Sequence, residues 1–520
     1  MNDDSPNQLE NQTINQPIFQ SVPIEEGSEN LTPEEIKPEI EAPAIEENIE
    51  PLGVDGNNNN FNNNSNHSPP PLGIFSSNNK NKLFILLSVA IGGLIILLVL
   101  IKLFSSPPAK NIQLVYWGLW EEKEVYDPLI AEFEQKNPTI KISYQKMYHQ
   151  DYLNKLLTRS RDNKGPDIFR FHNTWLPLLK EIAAPLPKNI MSNSEFEKTF
   201  YPIHQSDLKI GNYYYGLPLE IDGLVLICNQ DMFNKAGMET NVVSLDDFMD
   251  AAKKLTTKTR SGQLITSGVA LGLAGNIEHF SDTLGLMFLQ NGVEYKVNTT
   301  KGSDSLENYL KFAAGLTSQE AAGALETYRK FAEQPNALWD DSMPNSIEAF
   351  IQEKVAMIIA PSWEVITIKN SKPELKIKVL PIYTVPGNKP ISIANYWVEG
   401  VSKKSRNQTA AWLFLRFLIE KENLIKLYEN QAKLRLFGEP YSRVDLADKL
   451  IQNEYVGAVI KQANNFVSLP VVSRVFDNNF NDEIVKYLEN AVNSTVNGGS
   501  YTEAMKTAQA GITQVLEKIK

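Results

Sequence analysis

Cysteine is almost missing: Cys228 is the single thiol among 520 residues, so no disulfide can form within the chain. It closes the apolar stretch 224–228, where a thiol reads as a small buried hydrophobe rather than a nucleophile. Histidine is scarce as well. His67, His149, His172, His204 and His279 are scattered without ligand-type spacing, which leaves no zinc or two-metal signature. No cofactor or metal is therefore expected. The main body also lacks a charge excess. Of 62 acidic and 50 basic residues, 14 and 2 lie in 1–80, leaving 48 of each sign in 81–520. A neutral body gives no electrostatic basis for nucleic-acid binding.

What is present falls into three parts. Residues 1–80 are rich in Asn, Pro and Glu, with an Asn-rich stretch at 57–64 followed by Pro69, Pro70 and Pro71. Such a segment buries too little apolar area to offset the entropy of ordering, so a disordered acidic tail is expected. Residues 83–101, LFILLSVAIGGLIILLVLI, form a run of 19 without a charge. At a rise of about 1.5 Å per residue this run spans about 28 Å as a helix, close to a hydrocarbon core of about 30 Å. It begins too far into the chain for a signal-peptide core, and no lipid-bearing cysteine follows it. A single transmembrane helix over 83–104 is expected, then a stiff linker at 105–110, SSPPAK. Lys80 and Lys82 on one side nearly balance Lys102 and Lys110 on the other, so charge does not orient the span.

From Asn111 onward strand and helix patterns alternate, which predicts an α/β fold. A strand is expected at 112–117 and a second at 140–144. Between them a helix over 123–136 places Val125, Leu129, Ile130 and Phe133 on one face. A helix from Tyr152 and a strand at 168–171 after Gly165-Pro166-Asp167 complete a βαβαβ opening.

This opening, GPDIFRF at 165–171 and above all GNYYYGLPLEIDGLVLICNQDMFNKAGM at 211–238 resemble the bacterial extracellular solute-binding family that includes maltose-binding protein. The segments 244–256, 349–363, 398–418 and 499–512 follow in the family's order. Three places depart from its pattern: Cys228 stands where a tyrosine is usual, Ser244-Leu245 where a tryptophan is usual, and Glu353 where a glycine is usual. The resemblance implies a two-lobed periplasmic-binding-protein fold with a ligand cleft between the lobes. It places the chain crossings near 218–223, 391–397 and 429–436. Lobe one is then about 111–220 with 395–430, and lobe two about 221–394 with 431–520.

Seven tryptophans lie after residue 110, several at strand ends or in loops. An indole face suits the apolar C–H face of a sugar ring, and neighbouring polar groups suit its hydroxyls. Ligand contacts are expected where strands end at the carboxyl side of an α/β sheet. These are Trp120 and Glu121 after the first strand and Asn173, Thr174 and Trp175 after the third. Glu220 and Asp222 are expected at the first crossing, Tyr396 and Trp397 at the second. Asn276 and His279 are expected from lobe two, with Arg435 near the third crossing. Trp363 matches a sugar-stacking position of the family.

The expected function is capture of a small solute, by the resemblance a carbohydrate, through hinge closure, with delivery to an ABC permease and no catalysis. The tail would then be cytoplasmic and the binding domain extracytoplasmic. Two other readings are weighed: a ligand sensor for a membrane signalling partner, and a glycan hydrolase using Asp340 and Asp341. Adjacent residues on an extended chain point to opposite faces, a poor arrangement for paired acid/base work.

Overall fold

The computed structural model describes residues 87–95, 111–296, 305–478 and 480–520. Residues 87–95 are helical. Among the described residues no helix is long and apolar enough to cross a membrane. The remainder of the 83–104 span, the tail 1–80 and the linker 105–110 lie outside the described residues. The chain divides into two compact units, 1–96 and 97–520. Everything below concerns the second.

Ten strands build its two main sheets. They are β1 (Ile112–Gly118), β2 (Ile140–Lys146), β3 (Ile168–His172), β4 (Leu217–Pro218) and β5 (Leu224–Asn229). The others are β6 (Thr257–Lys258), β7 (Leu264–Val269), β8 (Val355–Pro361), β9 (Ile377–Leu380) and β10 (Trp397–Val401). One sheet has the order β2-β1-β3-β10-β4 and the other β9-β5-β8-β7-β6, so each lobe has its own sheet. The opening follows the sequence closely: β1 and β2 are parallel and in register from Ile112 with Ile140 to Gly118 with Lys146. The helix Lys123–Lys136 joins them and buries Val125, Tyr126, Leu129, Ile130 and Phe133. Burial of that stripe is what holds the helix on the sheet.

Distant segments complete each sheet. β10 returns antiparallel to β3 and pairs Glu399 with Arg170. That pair is buried, with Arg170 Nε 2.8 Å from Glu399 Oε1 and Nη2 3.4 Å from Glu220 Oε2. An arginine so far from water persists only with its partners, and losing one leaves an uncompensated charge.

Three passages of the chain lie side by side between the sheets. Gly223 bridges Ala394, and Glu220 bridges Tyr441. Asn395 N donates to the Asp222 carbonyl at 2.9 Å, and Ile221 N to the Pro440 carbonyl at 2.9 Å. Residues 431–434 complete the uninterrupted helix Lys421–Leu434, which packs on Lys123–Lys136. Glu353 keeps its turn by adopting φ 58°, the left-handed conformation that glycine takes at least cost. Lys372 Nζ holds its carboxylate at 2.6 Å.

Gly223 has no room for a side chain. A β-carbon there would lie 2.4 Å from the Ile393 carbonyl oxygen and 2.5 Å from the Phe466 ring, whereas one at Gly275 meets nothing within 4 Å. Gly223→Ala is therefore expected to cost about 1–3 kcal/mol by overpacking. Gly275→Ala should stay within about 0.5 kcal/mol. Urea unfolding of both variants measures the difference.

Candidate ligand-binding site

Aromatic side chains gather at the carboxyl edge of the lobe-one sheet. Trp120 follows β1 in a tight turn, at φ 65°, where Glu121 N donates to the Leu119 carbonyl at 2.7 Å. A bulky residue is held in the left-handed region only where its surroundings over-determine it. His149, beyond β2, stacks on Trp120 with ring centres 5.2 Å apart and planes at 21°. Trp397 opens the antiparallel β10 at this same edge and meets Trp120 edge-on at 5.7 Å. Behind it, His172 and Trp175 contact Trp397 at 5.1 and 5.3 Å. Phe476 touches His149 and Trp120 at 4.4 and 6.3 Å.

Trp120 is 37 % exposed and Trp397 is half-buried, so both keep indole surface open to a ligand. Trp175 is buried, and its Nε1 donates to Asp477 Oδ2 at 3.1 Å. Asp477 also accepts the backbone N–H groups of Phe480 and Asn481. Trp175 thus supports Trp397 from behind and ties β3 to the turn before the helix Asn481–Val496.

Two carboxylates on one passage fix two tryptophans. Glu220 Oε1 accepts the Trp397 backbone N–H at 3.2 Å. Asp222 Oδ2 accepts that of Trp363 at 3.3 Å, while its Oδ1 accepts Ser362 N at 3.3 Å and Gly223 N at 2.7 Å. Trp363 follows β8 in the second sheet and is half-buried. Both carboxyls lie in a dry, acidic neighbourhood. Burial pushes Glu220 well above the usual carboxylate range despite Arg170. Burial, with Glu439 adding to it, pushes Asp222 up to about 8. Neither has solvent to share with a ligand here; their polar atoms serve the chain.

The other expected contacts are engaged in the same way. Glu121 is buried, accepts from Gln431 at 3.0 Å and pairs with Arg435 at 3.2 Å; burial raises its pKa in spite of that cation. Arg435 also bonds Glu439 and the Phe437 carbonyl. Asn173 donates to Ser468 at 2.8 Å and to Asp207 at 3.3 Å, and Tyr396 O–H donates to Asp207 at 2.8 Å. Thr174 accepts from Asn481 at 2.8 Å. Asn276 donates to the carbonyls of Asp340 and Met343 and accepts from Trp339, so it braces that loop rather than facing the aromatic group.

Two buried histidines take opposite charge states. Burial lowers His172 to about 4. Its Nε2 faces Asn395 Oδ1 at 3.2 Å, and its Nδ1 faces the Thr174 hydroxyl at 2.8 Å. The neutral Nε2–H tautomer satisfies both, an assignment made from its partners. His279 sits beside Trp363, ring centres 5.7 Å apart. Burial alone would lower its pKa, but Asp282 and Glu364 outweigh it and raise it to about 10. Glu364 Oε1 is 3.1 Å from Nε2, while Asp282 Oδ2, at 3.9 Å from Nδ1, acts through charge. Nδ1 donates to the Ser473 hydroxyl at 2.9 Å.

Sequence reasoning missed His149, Phe476 and Asp477. His149 follows β2 as Trp120 follows β1, so the strand-end rule reaches it. Phe476 has no such signal: it sits in a loop where Arg474, Phe476 and Asn478 all adopt positive φ.

Because His279 is raised above its unfolded value near 6.5, its stabilisation is complete below that pH and is lost as pH rises toward about 10. The melting temperature of the wild type should fall more steeply between pH 7 and 10 than that of His279→Gln. Parallel slopes in differential scanning calorimetry would contradict this assignment.

Comparison with known proteins places this arrangement. The family model for bacterial extracellular solute-binding proteins matches residues 118–425. A maltodextrin-binding protein of Bacillus subtilis is 24 % identical over 359 residues, 67 % of this chain and 78 % of that protein. A putative binding protein of Brucella abortus is 23 % identical over 343 residues, 64 % of this chain and 78 % of its own length. Among solved structures, a cyclo/maltodextrin-binding protein with maltotetraose superposes with a TM-score of 0.62 at 18 % identity. The match covers 79 % of this chain and 98 % of that one. A substrate-binding protein of Listeria monocytogenes in complex with cycloalternan gives 0.58 at 21 % identity, covering 78 % and 100 %. The two-lobed α/β fold is common to these structures, the family is one of binding proteins rather than enzymes, and the chain belongs to the bacterial extracellular solute-binding proteins.

Proposed function

We propose that this chain captures a sugar or oligosaccharide outside the cytoplasm by hinge closure and hands it to an ABC importer, while the apolar run 83–101 anchors it in the membrane. The observation that carries the sugar reading is the set of half-open indoles, Trp120, Trp397 and Trp363, set around one bundle of chain passages. Flat apolar indole faces match the apolar C–H face of a pyranose ring. The relatives named above with maltotetraose, cycloalternan and maltodextrin support the same class.

On this reading the three indoles touch the ligand, and Glu220, Asp222, Asn173, Thr174, Trp175 and Tyr396 position them. The passages 218–223, 391–397 and the stretch just after the helix Lys421–Leu434 form the hinge. Ligand buried between the lobes stabilises the closed form by its greater affinity for that form. The 19 uncharged residues support the anchor by length and composition, and an anchored receptor stays beside its permease. The tail 1–80 then lies on the cytoplasmic side.

Isothermal titration calorimetry with linear and cyclic maltooligosaccharides tests the reading. Binding should be measurable, and Trp363→Ala or Trp397→Ala should weaken it by about 1–3 kcal/mol. If a polyamine or another non-sugar binds while no carbohydrate does, the proposal fails.

A further inference from the structure

Six exposed cations gather at the amino edge of the lobe-one sheet, the end opposite the aromatic group. Arg159 and Arg161 lie in the last turn of the helix Tyr152–Arg161, and Lys164 follows in the turn before β3. Lys403, Lys404 and Arg406 follow β10. The two turns are tied together: Ser402 N donates to the Asp167 carbonyl at 2.8 Å, and the Ser405 hydroxyl to Asp167 Oδ1 at 2.5 Å. Asp167 Oδ2 in turn accepts Val115 N at 2.9 Å.

Elsewhere on this lobe many basic side chains are paired with acids, as with Lys136 and Lys426 on Glu132 and Lys141 on Glu134, although Lys155 and Lys188 lie over aromatic rings instead. Among the described residues the six form no ion pair. The acids near them are Asp162 and Glu181, both exposed, and Asp167, whose two oxygens are engaged; Glu181 directly precedes Ile182, whose carbonyl accepts Lys403 N at 2.7 Å. The edge therefore carries an excess of about three positive charges. Beside it runs an open groove of about 360 Å³ lined by Ile112, Ser405, Arg406, Asn407, Gln408 and Thr409.

This is also the edge at which the chain enters the sheet, at Ile112. Only residues 102–110 separate β1 and its preceding Asn111 from the uncharged run, and nine residues reach at most about 30 Å. With the run as a membrane anchor, the entry edge stays within that distance of the lipid surface. Screening confines the attraction of surface charge to about 8 Å at physiological salt, and each cation brought that near an anionic surface adds to it.

We propose that this basic amino edge rests on anionic lipid headgroups, giving the domain a membrane-facing side while its aromatic edge stays open to solute. The inference depends on the anchor reading above. It sets the domain's resting orientation, which docking on a permease has to displace.

The test is hydrogen exchange of the full chain reconstituted in nanodiscs of phosphatidylcholine alone or with about one third phosphatidylglycerol. Amides of 157–166 and 402–410 should exchange several-fold more slowly in the anionic discs. Salt at about 0.5 M should abolish the difference, as should the triple variant Lys403→Glu, Lys404→Glu, Arg406→Glu or the double variant Arg159→Glu, Arg161→Glu. Equal exchange in both lipids, with the chain inserted, overturns the inference and leaves the anchor standing. Failure of the chain to remain with the discs overturns the anchor reading and the inference together.

Discussion

Two carboxylates two residues apart, Glu220 and Asp222, organise the molecule. Both are buried on the first passage between the sheets. One holds the backbone of Trp397 and the other that of Trp363. Trp397 opens β10 of one sheet and Trp363 follows β8 of the other, so one short passage sets both indole platforms. Removing charged groups from water is costly, and backbone amides and Arg170 offset only part of that cost here. The raised pKa values of both acids are the electrostatic record of that burial.

The rest of the cleft builds on this frame. Arg170 ties Glu220 to Glu399 on β10 and so connects the passage to the sheet bearing Trp397. Asp207 gathers Tyr396, Asn173 and Ser468, joining elements from both halves of the chain. His279, Asp282 and Glu364 hold Ser473 and with it the loop carrying Phe476. Each aromatic surface open to solvent is thus backed by a buried polar cluster, in which Glu399 Oε2, Asp282 Oδ1 and Asn481 Oδ1 are left without a hydrogen-bond partner among the described residues. That division, apolar faces outward and polar braces inward, is what a pre-organised binding surface requires.

Much of the fold was legible in the sequence because local signals and global topology agree. The βαβαβ opening follows from periodicity, and its helix 123–136 ends where Asn137 and Pro138 stop it. The half-exposed Trp120 was legible from its position at a strand end, and Trp397 from the second crossing that the resemblance implies. The roles of Glu220, Asp222 and Trp175 were not, since a polar or aromatic residue at a crossing reads as a ligand contact until its partners are seen. Those partners are backbone amides and Asp477, up to 302 residues away, and no local pattern encodes them. Asn276 shows the same limit: its hydrogen bonds go to a loop more than 60 residues on.

A crystal structure of the chain with a bound maltooligosaccharide tests the central claim most directly. The account predicts sugar rings against Trp397 and Trp363, with Glu220 and Asp222 still accepting those residues' backbone amides. Sugar hydroxyls bonded to either carboxylate, with the amide released, would contradict it.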